Sequence, residues 1–244
     1  MFMTCYRIII VNIKNLLKRI IHFFNWDPWI NISYSQEGED MVLERIFENK
    51  KKGFYVDVGA HHPKRFSNTH LFYKKGWRGI NIDAMPGSMK LFNKLRSRDI
   101  NLEIGISSKK DNLKYYIFNE TALNTFSKKQ AQKINTQRNS YYIDRIVNID
   151  VNPLEKIIKK YANNKKIDFL NIDAEGLDLD ILKSNNWSKY RPKIILVEIL
   201  NNNLQEIQKN PVGRFMKKNN YILFAKQVNT FFFKDANISK IFKK

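Results

Sequence analysis

The sequence has 244 residues, which fits one α/β domain with additions better than two small domains. Its 43% hydrophobic and 27% charged residues exclude a disordered chain, and its single cysteine, Cys5, excludes an intrachain disulfide framework and a cysteine-rich zinc site. With 43 Lys and Arg against 23 Asp and Glu, the formal charge of +20 favours nucleic acid, an acidic membrane or a phosphorylated small molecule as partner, although compositional drift towards lysine explains such an excess as well.

Residues 1–34 are expected to form an extension separate from the domain. Apolar residues recur within it at helical spacing, and its basic residues fall mainly on the other side. The apolar run is interrupted too early for a membrane-spanning helix by Arg7, Lys14, Lys18 and Arg19, and no small-residue cleavage site indicates a signal peptide. We expect an amphipathic helix with a basic face. It either attaches peripherally to the inner face of an anionic membrane or packs on the domain or on a second subunit.

From Ser35 onwards the sequence alternates between helical and strand-like segments. Ser35 has the chemistry of an N-cap, and short apolar runs that end at an acid are typical of buried parallel strands. The predicted elements are, in order, a helix between Ser35 and Gly53, strand 54–60, helix 68–75, strand 77–83, helix 86–96, strand 100–106, helix 153–161, strand 167–173, helix 177–182, strand 193–200, helix 214–219 and paired strands 221–226 and 230–234. This order predicts an α/β fold with a parallel sheet that ends in an antiparallel hairpin.

Residues 107–148 interrupt the alternation and are too many for a simple connection between a strand and a helix. Within them we predict an exposed strand over 113–118 and a polar helix over 128–138. The domain would then be 35–244, with 107–148 as an inserted lid that selects the substrate, or as a peripheral excursion that only packs.

Three predicted strands stop at a carboxylate, at Asp57, Asp83 and Asp173. In an open parallel sheet, ligands bind beyond the carboxyl ends of the strands. Asp57 is followed by Gly59, which permits close backbone approach, and an acid at the position of Asp83 typically accepts hydrogen bonds from ribose hydroxyls. Neither a dinucleotide G-x-G-x-x-G motif nor a P-loop is present, which favours S-adenosylmethionine over NAD or ATP. The alternative is that each acid merely caps a helix.

A set of segments in fixed order resembles the FkbM-type family of S-adenosylmethionine-dependent methyltransferases. The segments are 35–40 (SQEGED), 53–60 (GFYVDVGA), 63–69 (PKRFSNT), 75–83 (KGWRGINID), 96–105 (RSRDINLEIG), 167–178 (IDFLNIDAEGLD) and 191–198 (RPKIILVE). The resemblance covers roughly residues 33–234. It implies a class I methyltransferase fold, with a seven-stranded, mostly parallel Rossmann-like sheet and a reversed C-terminal hairpin. It also implies O-methylation, commonly of sugars or other hydroxylated small molecules.

The resemblance also assigns cofactor-binding residues. They are Gln36, Asp57, Gly59, Ala60, Asn68, Thr69, Asp83, Gly105, Ile106 and Ser107. It places Asp57 and Gly59 in the first cofactor loop, Asp83 at the ribose and the residues from Gly105 beside adenine. Asn68 and Thr69 would reach the methionine carboxylate or the acceptor, and Gln36 would close over the cofactor. The first loop departs from the pattern of many class I enzymes, because His61-His62-Pro63 stands where they have more glycine.

Methyl transfer to a hydroxyl needs alignment and a general base. Asp173, at the end of the fourth strand, is our first choice as base or as orienter of the acceptor. The other candidates are Glu175, His61, His62 and Glu198. Asp173, Glu175 and Glu198 are also oxygen ligands that Mg²⁺ would accept, which would lower the pKa of the reacting hydroxyl. The alternatives are a helix cap for Glu175, a paired buried acid for Glu198 and simple packing for either histidine.

The expected acceptor is a sugar or nucleotide sugar used for surface polysaccharide, such as capsule, in the cytoplasm. Basic residues expected around the cleft would pair with its pyrophosphate. They are Arg65, Arg78, Lys128, Lys129, Arg138 and Arg145. A nucleic-acid methyltransferase is less favoured, since Asp173-Ala174-Glu175-Gly176 replaces the N-P-P-Y-type motif used for base amino groups. Methylation of another small molecule and a non-catalytic, membrane-associated scaffold are further alternatives.

Overall fold

The computed structural model describes residues 29–137, 140–174, 176–200 and 202–238, and the chain divides into two compact units, 1–32 and 33–244. The amphipathic helix predicted within residues 1–34, with its membrane or subunit contacts, lies outside the described residues. Among those that are described, no helix combines the length and the apolar character needed to cross a membrane.

Residues 33–238 form a doubly wound α/β domain with a second, smaller sheet. The helices are α1 (Glu39–Ile46), α2 (His70–Lys74), α3 (Ser88–Leu95), α4 (Lys128–Gln137), α5 (Leu154–Tyr161), α6 (Asp178–Lys183) and α7 (Pro211–Lys218), with a 3-10 turn at Thr121–Leu123. The strands are β1 (Phe54–Val58), β2 (Arg78–Asp83), β3 (Ile100–Glu103), β4 (Gly105–Ile106), β5 (Asp111–Phe118), β6 (Ile143–Asn152), β7 (Phe169–Ile172), β8 (Ile194–Glu198), β9 (Tyr221–Gln227) and β10 (Thr230–Asp235).

The main sheet has seven strands in the order β3-β2-β1-β7-β8-β10-β9. The first five are parallel, and β10 runs antiparallel to both β8 and β9. This confirms the predicted Rossmann-like methyltransferase fold with its reversed C-terminal hairpin. The central strand β1 is buried along its whole length, and its Asp57 lies in register with Asn81 of β2 and Asn171 of β7.

The core has two layers because successive strand residues point to opposite faces of the sheet. On one face, Val56 and Leu170 pack with helices α5, α6 and α7. On the other, Tyr55 and Phe169 pack with α1 and α2. Helices on both faces leave the two strand-end edges of the sheet as the places where loops gather.

Two local predictions were wrong. The N-cap of α1 is Gly38, whose φ of 90° suits glycine, whereas Ser35 lies further back, where its Oγ donates to Asp40 Oδ1 at 2.8 Å. The strand predicted over 100–106 is divided between the two sheets. Its break lies at Ile104, whose N–H donates to the carbonyl of Asp83 at 3.0 Å, at the end of β2, and the chain joins the second sheet from Gly105 onwards.

The second sheet occupies the region predicted as an insertion. Its strands are ordered β4-β6-β5, with β6 parallel to β4 and antiparallel to β5. The predicted strand over 113–118 corresponds to β5 and the predicted helix over 128–138 to α4. Strand β6 was missed although Val147, Ile149 and Val151 alternate with polar residues, because its first half shows no such alternation and is largely exposed.

Candidate active site

A cavity of about 770 Å³ opens at the carboxyl edge of the main sheet. Its walls come from the ends of β1, β2, β7 and β8, the residues before α1, the β9–β10 turn, the second sheet and α4. Many of the residues predicted from the sequence line it, namely Gln36, Asp57, Gly59, Ala60, His61, Asn68, Asp83, Gly105, Ile106, Asp173 and Glu198. A volume of this size accommodates a drug-sized ligand.

The turn after β1 brings three strand ends together at the base of the cavity. Gly59 adopts a φ of 82°, and a Cβ on it would lie 1.7 Å from the carbonyl oxygen of Asp173. The N–H groups of Gly59 and Ala60 both donate to the carbonyl of Ile82, at 2.9 and 3.0 Å. Glycine is therefore required here both for its backbone conformation and for close approach to the end of β7.

Asp57 is the centre of a buried polar network beneath this turn. It is 2% exposed, and its carboxylate accepts from Asn171 Nδ2 and from Thr69 Oγ1, each at 2.9 Å. Asn171 Oδ1 in turn accepts from Asn68 Nδ2 at 2.9 Å. Burial raises the pKa of Asp57, and the hydrogen bonds from Asn171 and Thr69 oppose that rise. Asp57 thus organises the wall, and Thr69 lies fully buried behind it.

Asp83 ends β2 and holds the next loop. Its Oδ2 accepts from the N–H of His61 and its Oδ1 from the N–H of Met85, both at 2.8 Å. Burial raises the pKa of Asp83, while these two backbone hydrogen bonds lower it. A carboxylate offers about four lone-pair positions, so both oxygens can still accept a hydroxyl hydrogen bond.

An apolar slot adjoins Asp83. It is lined by Ile104, Ile106, Tyr115 and Phe126, with the Tyr115 and Phe126 ring centroids 4.5 Å apart. Gly105 permits this packing, since a Cβ there would lie 2.7 Å from the Phe126 ring. Of the predicted adenine contacts, Gly105 and Ile106 line the cavity. Ser107 is buried outside the lining, where its N–H donates to the Asn152 carbonyl.

Two acids form a carboxyl pair at the ends of β7 and β8. Asp173 and Glu198 are joined by a side-chain hydrogen bond. Burial raises the pKa of Glu198, the hydrogen bond to Asp173 opposes that rise, and the nearby carboxylates, Asp178 first, add to it. Two neighbouring carboxyl groups in a cavity can exchange a proton with a ligand, which makes this pair a candidate for acid–base work.

Glu175, the second-ranked base, lies outside the described residues. Of the three predicted Mg²⁺ ligands, the structure therefore describes Asp173 and Glu198. Among the described residues, no group of three or more His, Cys, Asp or Glu side chains is arranged to hold a metal ion.

The loop after Asp173 is held by an acid that the sequence analysis did not single out. Asp178 accepts from the N–H groups of Ala174 at 3.0 Å and Gly176 at 3.3 Å. Burial raises the pKa of Asp178. In the sequence, Asp178 looks like an ordinary acid in the first turn of a helix. Only its contacts in the folded protein show that it holds the loop after Asp173.

The two adjacent histidines are placed differently. His61 lines the cavity with a φ of 51°, and burial lowers the pKa of its imidazole, which keeps the ring neutral. The ring of His62 caps a turn instead, because its Nδ1 accepts from the N–H groups of Lys64 and Arg65 at 3.0 and 2.9 Å. His61 is therefore the histidine within reach of a ligand.

The segment before α1 closes one side of the cavity and is fastened to the β9–β10 turn. The carbonyl of Glu37 accepts from Gln227 Nε2 at 2.5 Å, and its Oε2 accepts from the N–H of Asn229 at 3.1 Å. Glu39 Oε1 accepts from Thr230 Oγ1 at 3.0 Å. This connection joins residues about 190 positions apart and holds Gln36 at the cavity.

Helix α4 supplies the cations of the cavity, Lys129 and Lys133. Of the basic residues predicted around the cleft, Lys129 lines it, and Arg65 pairs with Glu120 at 3.7 Å. Arg138 lies outside the described residues. Within the described part of the chain, the cavity lining does not include Arg78, Lys128 or Arg145.

A sequence model of the methyltransferase FkbM domain matches residues 57–230, which is most of the chain. A comparison with curated proteins gave no match.

Proposed function

The chain belongs to the FkbM methyltransferase family, and from that premise we propose that it is an S-adenosylmethionine-dependent O-methyltransferase. Its acceptor would be a sugar hydroxyl on a nucleotide-activated sugar or glycan precursor for surface polysaccharide. The observation that carries the proposal is the cavity itself. It combines an acid next to an apolar slot with a carboxyl pair and two lysines.

Asp83 and the apolar slot beside it fit the nucleoside part of S-adenosylmethionine. Asp83 retains acceptor positions for two ribose hydroxyls, and the slot between Ile106 and Phe126 suits a flat apolar ring. Gln36 and Asn68 supply amide groups for the polar end of the cofactor. The bound cofactor supplies an electrophilic methyl group that is already activated.

Asp173 and Glu198 would supply the base. Asp173 would take up the proton that the acceptor hydroxyl loses as its oxygen receives the methyl group. Glu198 supports this role because it lies beside Asp173 in the carboxyl pair and helps to position the Asp173 side chain. The enzyme contributes alignment and proton removal, and both require these side chains to be fixed before the acceptor arrives.

The acceptor is proposed to carry phosphate because cations and acids line the same cavity. Lys129 and Lys133 offer ammonium groups to a pyrophosphate, whereas Asp173 and Glu198 suit a hydroxyl and would repel an anion. A nucleotide sugar satisfies both demands in one molecule.

A methyl-transfer screen tests this function. Full-length protein is incubated with methyl-labelled S-adenosylmethionine and a panel of nucleotide sugars, the matching free sugars, and duplex DNA and RNA. Each reaction is run with and without EDTA. Label should pass to a nucleotide sugar faster than to its free sugar, and loss of transfer in EDTA would indicate that the reaction requires a metal ion. Transfer confined to nucleic acid, or equal rates with free and nucleotide-linked sugars, would contradict the proposed acceptor.

A further inference from the structure

Arg96 is completely buried although it carries a guanidinium group. It follows α3, and its Nε donates to Asp99 Oδ2 at 2.9 Å. Its Nη2 donates to the hydroxyl of Tyr55 at 2.7 Å, and Asn81 Oδ1 lies 3.3 Å from the same nitrogen. These three contacts fix the side chain below β1 and β2, and a buried charge is tolerated only with such partners.

Two further contacts of Arg96 are made on the side of the candidate active site. Nη1 donates to the carbonyl of Pro63 at 3.1 Å, in the loop that carries His61. Nη2 also donates to Thr69 Oγ1 at 3.0 Å, and Thr69 Oγ1 lies 2.9 Å from Asp57 Oδ2. The guanidinium therefore contacts the middle and the end of the segment between β1 and α2.

The direction of these hydrogen bonds is determined by chemistry. A guanidinium only donates, so the Thr69 hydroxyl must accept from Arg96 and give its own hydrogen to Asp57. An ionised carboxylate only accepts, so Asn171 donates to Asp57 through Nδ2 and accepts from Asn68 through Oδ1. An oriented chain of hydrogen bonds thus runs from Arg96 to the cavity wall at Asn68.

The positive charge of Arg96 also favours the ionised form of Asp57. Burial raises the pKa of Asp57, and the positive charge of Arg96 is among the influences that oppose the rise. An Asp57 that took up a proton would become a donor at one oxygen, and the order of the chain would then be lost.

We propose that Arg96 is a positioning residue of the active site, which orients Asp57 through the Thr69 hydroxyl and holds the first cofactor loop through the Pro63 carbonyl. The part of this proposal that concerns cofactor affinity rests on the proposed function. The part that concerns the loop does not.

Two variants and a matched control test the proposal. Thr69→Val removes the hydroxyl but keeps the shape of the side chain, so it breaks the chain of hydrogen bonds while Arg96 stays in place. Arg96→Lys keeps the charge but cannot make the forked contacts. Arg191→Lys is the control, because Arg191 also bonds an aspartate, Asp235 at 2.7 Å, and it lies at the opposite edge of the sheet from the cavity.

The first measurement needs no ligand. Amide hydrogen exchange of the full chain should become about tenfold faster across residues 59–68 in Arg96→Lys and Thr69→Val, the change expected when a bond of about 1.4 kcal/mol is lost. Arg191→Lys should leave this loop unchanged and loosen only its own surroundings. Unchanged exchange in Thr69→Val, or equal loosening of the loop by Arg191→Lys, would overturn the proposal.

The second measurement is the affinity for S-adenosylhomocysteine by calorimetry, together with kcat and KM. Both site variants should bind about tenfold more weakly and raise the KM for the cofactor, with a smaller change in kcat. Affinities within twofold of the wild type would overturn the role in cofactor binding. If the wild-type protein itself does not bind S-adenosylhomocysteine, the proposed function fails, and the exchange experiment still decides the positioning of the loop.

Discussion

The two edges of the main sheet stabilise their buried acids in different ways. At the amino edge each acid is paired with a cation. The pairs are Asp99 with Arg96 at 2.9 Å, Asp168 with Lys50 at 2.6 Å and Lys193 at 2.9 Å, and Asp235 with Arg191 at 2.7 Å. At the carboxyl edge, Asp57 and Asp83 are held by neutral donors, namely amides, a hydroxyl and backbone N–H groups.

The pKa of Asp235 and those of the carboxyl-edge acids shift in opposite directions. The hydrogen bonds and charge of Arg191 outweigh desolvation and lower the pKa of Asp235, whereas burial raises the pKa of Asp57, Asp83 and Glu198. An acid paired with a cation stabilises the fold, and removing one partner is costly. An acid held by neutral groups has no cation in direct contact, which costs stability and leaves its charge available to a ligand. The difference separates acids that hold the fold from acids that serve the site.

The largest effect is expected when the proposed base is removed. Asp173→Asn keeps the shape of the side chain but cannot take a proton, so kcat should fall about 10²–10⁴-fold while the KM for the cofactor changes little. Asp180→Asn, at an exposed acid in the first turn of α6, serves as control and should retain turnover. Steady-state kinetics measures both. An effect confined to KM would assign Asp173 to binding and not to catalysis.

The reverse outcome is expected at the amino edge. Asp168→Ala leaves the N–H of Phe54 buried without its 3.0 Å partner and separates Lys50 and Lys193 from their shared carboxylate. Because both lysines are partly exposed and can turn to water, the free energy of unfolding should fall by about 2–4 kcal/mol.

Urea denaturation checks this loss, and calorimetry should find an unchanged affinity for S-adenosylhomocysteine. Asp111→Ala, at an exposed acid paired with Lys109, should leave the unfolding midpoint where it is. A loss of cofactor affinity in Asp168→Ala would show that the two edges are not independent.

Asp83→Asn tests the carboxyl edge with a smaller expected effect. The amide can accept at only one oxygen, so affinity for S-adenosylhomocysteine should fall about 10–100-fold, the range for a hydrogen bond to a charged group. Stability should change by less than about 1 kcal/mol, since loss of one backbone hydrogen bond is offset by relief of a buried charge. A large loss of stability without loss of affinity would place Asp83 among the acids that hold the fold.

The main sheet could be predicted from sequence because its buried strands are nearly continuous apolar runs. The strands predicted over 193–200 and 54–60 are such runs, and in the structure they span Ile194–Glu198 and Phe54–Val58. The acids of the site were predictable for a related reason, since parallel strands deliver their last residues to one edge. Strand Ile143–Asn152 was not, because its first half shows no alternation, although Val147, Ile149 and Val151 alternate with polar residues further along.

The connections between site residues depend on pairing across the chain and could not be predicted. Asn171 reaches Asp57 only because β7 pairs with β1, and the two residues are 114 positions apart. Glu37 and Asn229, 192 positions apart, meet only when the C-terminal hairpin folds back beside β8. No local signal distinguishes these residues from solvated polar ones.

The last prediction concerns the pH dependence of the free energy of unfolding, to which a buried histidine and the acids of the carboxyl edge contribute in opposite directions. His70 begins α2 and is 6% exposed, edge-on to Tyr34 at 4.5 Å. Burial, followed by the charge of Arg96, lowers the pKa of His70 to about 4. Between pH 6.5 and 4 the unfolded chain therefore binds more protons than the folded one, and stability falls as the pH falls.

From pH 7 to pH 5 this histidine should cost the wild type about 2 kcal/mol, which follows from about 1.4 kcal/mol per pKa unit. His70→Gln cannot titrate, so that loss should disappear from its urea denaturation curves, whatever its stability at pH 7. The carboxyl-edge acids, whose pKa values are raised, act in the opposite direction, because the folded state takes up their protons at a higher pH than the unfolded chain does. In His70→Gln their contribution should emerge as a gain in stability on acidification, until protonation of Asp235 reverses it at lower pH. Parallel pH profiles for the wild type and the variant would show that His70 does not titrate differently in the folded state.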